Sequence, residues 1–565
     1  MRSHPFLTFA LLAALAHGQA PPAANSAAEV STQEDSVLFQ SRVNLVLVPV
    51  VVRDKAGKAV DNLRQQDFQL FDKGKAQAIT KFSVEKPGGK MISRTPAVEA
   101  APGETAPETS SILAPDHFVA FLFDDVHIQF ANLVQTREAA EKHIANNLKP
   151  TDRVAIYTTS GRTTLEFTDD RDLLRRTLLQ LAPLPLARAG GQQCPDISYY
   201  QADLITNKRD DQALNAAVLE VMSCLSIPER SVAVAMAQSA ASQVFTAGQH
   251  ETRISLLNIK NVVRRLSLMP GRRTVILASP GFLRMSDNFE DEAAIIDQAI
   301  RSGVTINSLD ARGLYTNMPD IAKRTISVAA EQVKQQIDRA SASAEADILA
   351  ELADGTGGTF VQNTNDLVRG LRELSAAPDT YYVLGFSPQN LKADGTYHTL
   401  KVTVKIPPGL ALKARRGYYA PKHLASADEQ AKEEISQALF SREEIHDIPV
   451  DMHTQFFKSS GTEARLVIVS RVDVRKLRFR KADGRNADEV EIVSGLFDRN
   501  GNYLQGVSKT LKMRLLEGTL ESKLNAGISV RSDFKVAPGT YVIRLVVRDA
   551  EGQMMAAQNG AVEIP

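Results

Sequence analysis

The chain has no tryptophan, only two cysteines and no excess charge of either sign, with 66 lysines and arginines facing 66 aspartates and glutamates across 565 residues. Each shortage removes a class of explanation. Balanced charge gives no electrostatic case for nucleic acid or an anionic membrane surface as a partner. Two thiols, Cys194 and Cys224, without neighbouring histidines make an incomplete zinc shell. Phosphate loops, paired zinc-ligand motifs and dinucleotide fingerprints are all missing, and GTGG at 355–358 reads as a turn. After the N-terminus no stretch reaches the roughly 18 consecutive apolar residues of a membrane-crossing helix.

What the chain does have starts with an export signal. Arg2 and His4 precede an apolar run at 6–16, and the small residues Ala16, Gly18 and Ala20 follow. This order predicts a signal peptide over 1–20 and a secreted or periplasmic protein. An oxidising compartment would let Cys194 and Cys224 pair, whereas two free buried thiols are the bland alternative.

At 565 residues the chain is too long for one hydrophobic core, so about three or four domains are expected. A polar, Ala/Pro-rich stretch at 21–40 reads as a disordered tail. Residues 41–85 carry strand-like runs and form a small β module; 86–115 is a Pro/Ala-rich linker. From 116 to 379, apolar strands alternate with amphipathic helices, the pattern of a doubly wound α/β domain, and a helical insertion there carries both cysteines. Residues 380–421 read as a β hairpin or strand module with Asp394 and Gly395 as its turn, and 422–442 as a helical connector. Residues 443–565, with about seven strand-like runs, predict an immunoglobulin-like β-sandwich. Three turns of one kind, DKAG at 54–57, DRNG at 498–501 and DAEG at 549–552, read as hairpin turns, not a repeated domain.

The rest of the chain is arranged around HFVAFLFDDVH at 117–127. A run apolar on both side-chain faces suits the central strand of a helix-covered parallel sheet, and Asp124 and Asp125 then fall at its carboxyl end, where such sheets place ligands. One reading makes the pair line a ligand or cation crevice with His127 or Gln129 assisting. The other makes them caps for the following helix, accepting backbone N–H bonds. Asp310, at another strand end, reads as a crevice residue or a turn cap.

Together with LKPTDRVAIYTTSGRTTLEFTDDRDLL from Leu148, GRRTVILASPGF from Gly271, AIRSGVTINSLDARGLY from Ala299 and LADGTGGTF from Leu352, this stretch resembles a von Willebrand factor type A (VWA) domain. YYVLGFSP from Tyr381 and ARRGYYAP from Ala414 make the closer resemblance the secreted acidobacterial VWFA-related family. The resemblance implies a Rossmann-like fold that binds a protein partner at a metal-ion-dependent adhesion site. It also implies a divalent cation, Mg²⁺ or Ca²⁺, held by Asp124 and Asp125. The usual site sets an Asp-x-Ser-x-Ser loop beside a Thr and a further Asp. Here Val126 and Ile128, or His127 and Gln129, stand where the serines belong, Ser279 falls near the further Asp, and the insertion replaces the second loop. The implied site is degenerate.

The function expected is therefore that of an exported, non-catalytic protein contacting an unidentified protein partner through a crevice of Asp124, Asp125, His127, Gln129 and Ser279. A structural component of an envelope or extracellular assembly is the alternative. A third reading, a serine hydrolase using Ser279 with Asp310 and His398, conflicts with Leu277 standing where a nucleophile elbow needs glycine.

Overall fold

A computed structural model describes residues 29–36, 46–54, 60–85, 91–93, 111–113, 115–184, 194–285, 288–314, 328–376, 381–388, 395–405, 410–414, 417–420, 426–441, 444–458 and 462–565. The expected signal peptide at 1–20, much of the tail and linker, and most of the DKAG turn lie outside them.

The fold is mixed α/β, with one mainly parallel sheet and several antiparallel ones. The parallel sheet runs Thr164–Thr168, Asp152–Thr158, His117–Phe123, Arg272–Ser279, Val304–Asp310, Phe360–Val361, and only the Thr164–Thr168 edge strand is antiparallel. Every residue of His117–Phe123 is buried. Alternation along it feeds two cores. Phe118, Ala120 and Leu122 pack with helix residues such as Leu256, Ile295 and Ile348, while Val119, Phe121 and Phe123 pack with Leu133, Ile144, Leu174 and Leu371 on the other face. The chain begins at the centre, moves to one side, then crosses to the other. The reversal falls between His117–Phe123 and Arg272–Ser279, and a crevice opens at the carboxyl ends of adjacent strands where strand order reverses.

Among the helices that flank the sheet or build its insertion are α1 (Phe130–Asn147), α2 (Asp211–Cys224), α3 (Arg230–Ser267) and α4 (Phe289–Arg301). The insertion is helical as expected. Its own apolar core joins Ala202, Ala217 and Val221 to Ala233, Ala237 and Ile337, and Cys194 and Cys224 form a disulfide with Cα atoms 6.3 Å apart.

Two boundaries differ from the sequence reading. The small β module at 41–85 and the strands at 380–421 are one structure, with the α/β domain inserted between its halves. One sheet runs Ala411–Ala414, Val46–Arg53, Tyr381–Phe386, Lys81–Glu85, the other Gly417–Tyr419, Tyr397–Val404, Phe68–Asp72, Lys75–Gln77. Their shared core includes Val48, Val50, Phe68, Leu70, Tyr382, Leu384 and Tyr418. The expected hairpin of Tyr381–Phe386 with Tyr397–Val404 does not form, because each strand pairs with the N-terminal segment and the two belong to different sheets. Secondly, part of the expected disordered tail is a strand. Val30–Ser36 pairs antiparallel with Tyr503–Leu515 at a sheet edge, where main-chain hydrogen bonds suffice and a polar sequence such as VSTQEDS is tolerated. In the linker, Met91–Ser93 and Ser111–Leu113 also pair.

The C-terminal region is a two-sheet sandwich. Val450–Lys458, Ala464–Val472 and Ile528–Val536 face a larger sheet built on Tyr503–Leu515, Arg485–Asp498, Gly539–Asp549 and Met554–Ile564, with Val490, Ile492, Leu511, Leu545 and Val530 between them. The connector is helical, Ala427–Leu439. Ile435, Leu439 and Phe440 cover Val493, Val542 and Val546 on the outer face of the larger sheet. Arg544, buried beneath them, donates from Nε to the Ala438 carbonyl at 2.9 Å.

The DRNG turn does more than reverse the chain. Gly501 (φ +84°) lies against the Phe118 ring and Pro115, where an added Cβ would come within 2.5 Å of that ring. Arg153 Nε donates to Asn500 Oδ1 at 3.1 Å and its Nη2 lies 3.3 Å from Asp169. Arg273 Nη2 donates to the Phe440 carbonyl at 2.7 Å, and Lys413 Nζ of the other β module donates to Thr359 Oγ1. Phe118, Arg153, Arg273 and Thr359 all sit at strand starts. Both β modules therefore hold the N-terminal edge of the parallel sheet, opposite the crevice.

Candidate functional site

At the carboxyl edge the chain leaves the central strand through Asp124, whose N–H still bonds the Ala278 carbonyl of the neighbouring strand at 2.9 Å. Asp124 is fully buried. Its Oδ1 accepts from the backbone N–H groups of Val126 (3.2 Å) and His127 (3.1 Å) and from Thr159 Oγ1 at 2.8 Å. Its Oδ2 accepts from Ser279 Oγ at 2.5 Å. His127 Nδ1 lies 3.0 Å from both oxygens, and its ring stacks on Phe282 with centroids 5.1 Å apart.

Asp125, also buried, turns to the second strand's loop. Its carboxylate accepts from Ser160 N–H at 2.9 Å, Ser160 Oγ at 2.6 Å and Thr159 Oγ1 at 3.3 Å. Ser279 Oγ accepts from Gly281 N–H at 2.9 Å while donating to Asp124. Gly281 (φ +87°) is required here, since an added Cβ would lie 2.1 Å from the Glu345 carbonyl oxygen.

The electrostatics follow from burial and partners. Burial pushes Asp124 up, but the His127 charge and the hydrogen bonds from His127 and Ser279 outweigh it, holding the carboxyl below its ordinary range. Burial pushes His127 down, yet Asp124, with Glu251 and Glu345 further off, holds it above its ordinary value. Asp125 goes the other way, because burial and the neighbouring Asp124 charge outweigh its Ser160 bonds. Asp124 and His127 thus form a buried charge-assisted pair.

Four of the five expected crevice residues, Asp124, Asp125, His127 and Ser279, are brought together. Gln129 is not; it is exposed and stands immediately before α1 with no side-chain capping bond. Neither aspartate caps α1 either, because Asp124 binds the N–H groups of its own turn, at Val126 and His127. Asp310 is a turn cap, accepting from Arg312 N–H at 3.0 Å and paired with that guanidinium at 2.8 Å. Ser279, Asp310 and His398 form no triad: His398 bonds Asp72 in the β module at 2.9 Å, and Ser279 has a carboxylate partner and no imidazole.

The sequence reading missed Thr159 and Ser160, and the second loop is not replaced by the insertion: it follows Asp152–Thr158 directly. The signal was the hydroxyl-rich run TTSGRTT at the end of a strand.

The residues present do not fit the divalent cation that the resemblance implies. A cation needs oxygens with lone pairs turned toward it, whereas the Asp124 oxygens already face two hydroxyls, two backbone N–H groups and the His127 ring nitrogen. The histidine brings positive charge to the carboxylate that a metal would otherwise neutralise. Among the described residues, no group of three or more His, Cys, Asp or Glu side chains is placed to hold a metal ion.

No family model matches the chain, and no curated protein matches it significantly. An aerotolerance-related membrane protein from Bacteroides fragilis is similar over 46% of this chain and 98% of its own, at 13% identity and a TM-score of 0.25. BatB from Bacteroides thetaiotaomicron is similar over 46% of this chain and 96% of its own, at 12% identity and a TM-score of 0.21. The three N-terminal domains of the type V pilus tip protein Mfa5 from Porphyromonas gingivalis match 86% of this chain and 78% of theirs, at 9% identity and a TM-score of 0.20. These likenesses are too slight to carry an argument. No helix of the described residues is long and apolar enough to cross a membrane.

Proposed function

We propose that this chain is an exported, non-catalytic binding protein of the VWA-like kind, with a C-terminal immunoglobulin-like sandwich, and that it contacts a protein partner through the carboxyl edge of its parallel sheet without a cation. The buried Asp124–His127–Ser279–Thr159 network acts as a scaffold that fixes the crevice loops, in place of a metal.

The observation that carries the reading is the apolar surface left on that edge. Phe130 at the start of α1 is 68% exposed, Phe289 at the start of α4 is 50% exposed, and Leu314 beyond Val304–Asp310 is 59% exposed. All three follow the carboxyl ends of sheet strands, while both β modules occupy the opposite edge. Single exposed apolar residues are ordinary on protein surfaces; three at successive strand exits are what a contact face offers. Against a structural role for the β modules alone stands this division of labour, which keeps both modules off that edge.

The test is retention of an envelope or culture-supernatant protein by immobilised wild-type chain, beside a Phe130→Asp/Leu314→Asp variant of unchanged thermal stability. Binding that survives chelation by EDTA and is lost in the variant supports the proposal. Equal retention by both proteins would move the contact to the β modules.

A further inference from the structure

Beside the crevice, between Asp152–Thr158, the edge strand Thr164–Thr168 and the C-terminal half of α3, lies a cavity of about 370 Å³. Its walls include Tyr157, Thr163, Asn258, Asn261, Arg264 and Arg265. That volume lies at the small end of the roughly 300–1,000 Å³ typical of ligand sites.

The charges around it do not cancel. Arg265 pairs with Glu166 and lies over the Tyr157 ring, 5.7 Å from its centroid. Tyr157 donates its hydroxyl to the other Glu166 oxygen at 3.0 Å, and burial pushes that hydroxyl up to about 12, so it stays a donor. Glu166 is thereby committed on both oxygens. Asn258 is fixed as well, donating to the carbonyls of Thr159 at 2.8 Å and Ile254 at 3.2 Å. Among the described residues, Arg264 has no carboxylate partner and the Asn261 side chain has no hydrogen bond. Both line the cavity. Basic residues at the end of a helix complement its dipole, but that does not account for a cleft with one guanidinium, an amide and the Thr163 hydroxyl uncommitted around it.

We propose that this cleft binds a carboxylate group, with Arg264 as the charged anchor and Asn261 and Thr163 as neighbouring donors. A planar guanidinium matches a planar carboxylate through two parallel hydrogen bonds, and the absence of any free acid in the lining favours an anion. The carboxylate comes from a small organic acid or from an acidic side chain of a peptide. This goes beyond the edge contact proposed above, because none of the lining residues belongs to that apolar face.

The experiment titrates the full chain by calorimetry and ligand-observed NMR with N-acetyl-glutamate, the carboxylate-free N-acetyl-glutaminamide, a hexaglutamate peptide and inorganic phosphate. At least one carboxylate probe is expected to bind saturably while N-acetyl-glutaminamide does not. Arg264→Gln, at an exposed and unpaired position, should weaken that binding at least tenfold with thermal unfolding unchanged. Tighter binding of hexaglutamate than of N-acetyl-glutamate assigns the site to peptides, and the converse order to small acids. Equal binding of the acid and its amide, phosphate binding tighter than either carboxylate, or undiminished binding to Arg264→Gln would overturn the proposal. Since Phe130 and Leu314 lie outside the cleft, that failure would leave the edge contact standing.

Discussion

Asp124→Asn tests whether the crevice network is a scaffold, because it keeps the side-chain shape and removes the charge. In the wild type the carboxylate accepts from Val126, His127, Thr159 and Ser279 and balances the buried His127 ring, whose Nδ1 is 3.0 Å away. The amide leaves one acceptor oxygen and sets an NH₂ group against a former donor, Ser279 or Thr159. Breaking a buried charge pair from one side costs about 3–5 kcal/mol. His127 recovers part of that by giving up its proton, so a loss of about 2–4 kcal/mol is expected at pH 7.

The pH dependence has a defined sign. His127 is held above its ordinary value, so its contribution is full below about pH 6.5 and is lost as pH rises through the folded value. Asp124 is held below its ordinary value, so its contribution is present above about pH 4 and lost as pH falls through the folded value. The chain has several cores and need not unfold in one step, so the assay is local: native-state hydrogen exchange of the amides of His117–Phe123, with NMR titration of the His127 ring. Faster exchange and a His127 that titrates below its ordinary value are expected in Asp124→Asn. A stability change under about 0.5 kcal/mol, or a His127 that still titrates high, would refute the scaffold argument.

Calorimetric titration with Mg²⁺, Mn²⁺ and Ca²⁺ should give no saturable heat that disappears in Asp125→Ala, and a metal-dependent rise in melting temperature would contradict this. In the sandwich, burial and the neighbouring Asp549 push Asp488 up to about 8. An unfolded Asp releases its proton near pH 4, so the folded state loses stability as pH rises from about 4 towards 8. Asp488→Asn should therefore gain on the wild type as pH rises from 5 to 8 in urea unfolding, and parallel profiles would rule the effect out. Cys224→Ser removes a bridge spanning 30 residues and should cost about 3–4 kcal/mol by loop entropy. The loss should appear as faster hydrogen exchange in α2 and the first half of α3, and exchange unchanged there would refute it.

The local pattern of the chain determined its local structure. Six consecutive apolar residues after His117 specify a strand buried on both faces, and two carboxylates straight after it specify a polar end to that strand. The helices of the insertion and the strands of the sandwich were likewise legible, because their periods of 3.6 and 2 are written in neighbouring residues. Only the tertiary structure decided what met across distance. Thr159 and Ser279, 35 and 155 residues from Asp124, both donate to its carboxylate. Nothing in the spacing of single hydroxyls announces their partners. Val30–Ser36 became a strand because a sheet edge supplied backbone partners, and the two β segments flanking the α/β domain closed on one another because neither could bury its apolar face alone. The Asp498–Gly501 turn is local chemistry in sequence, yet Phe118 made it the contact that holds one edge of the sheet.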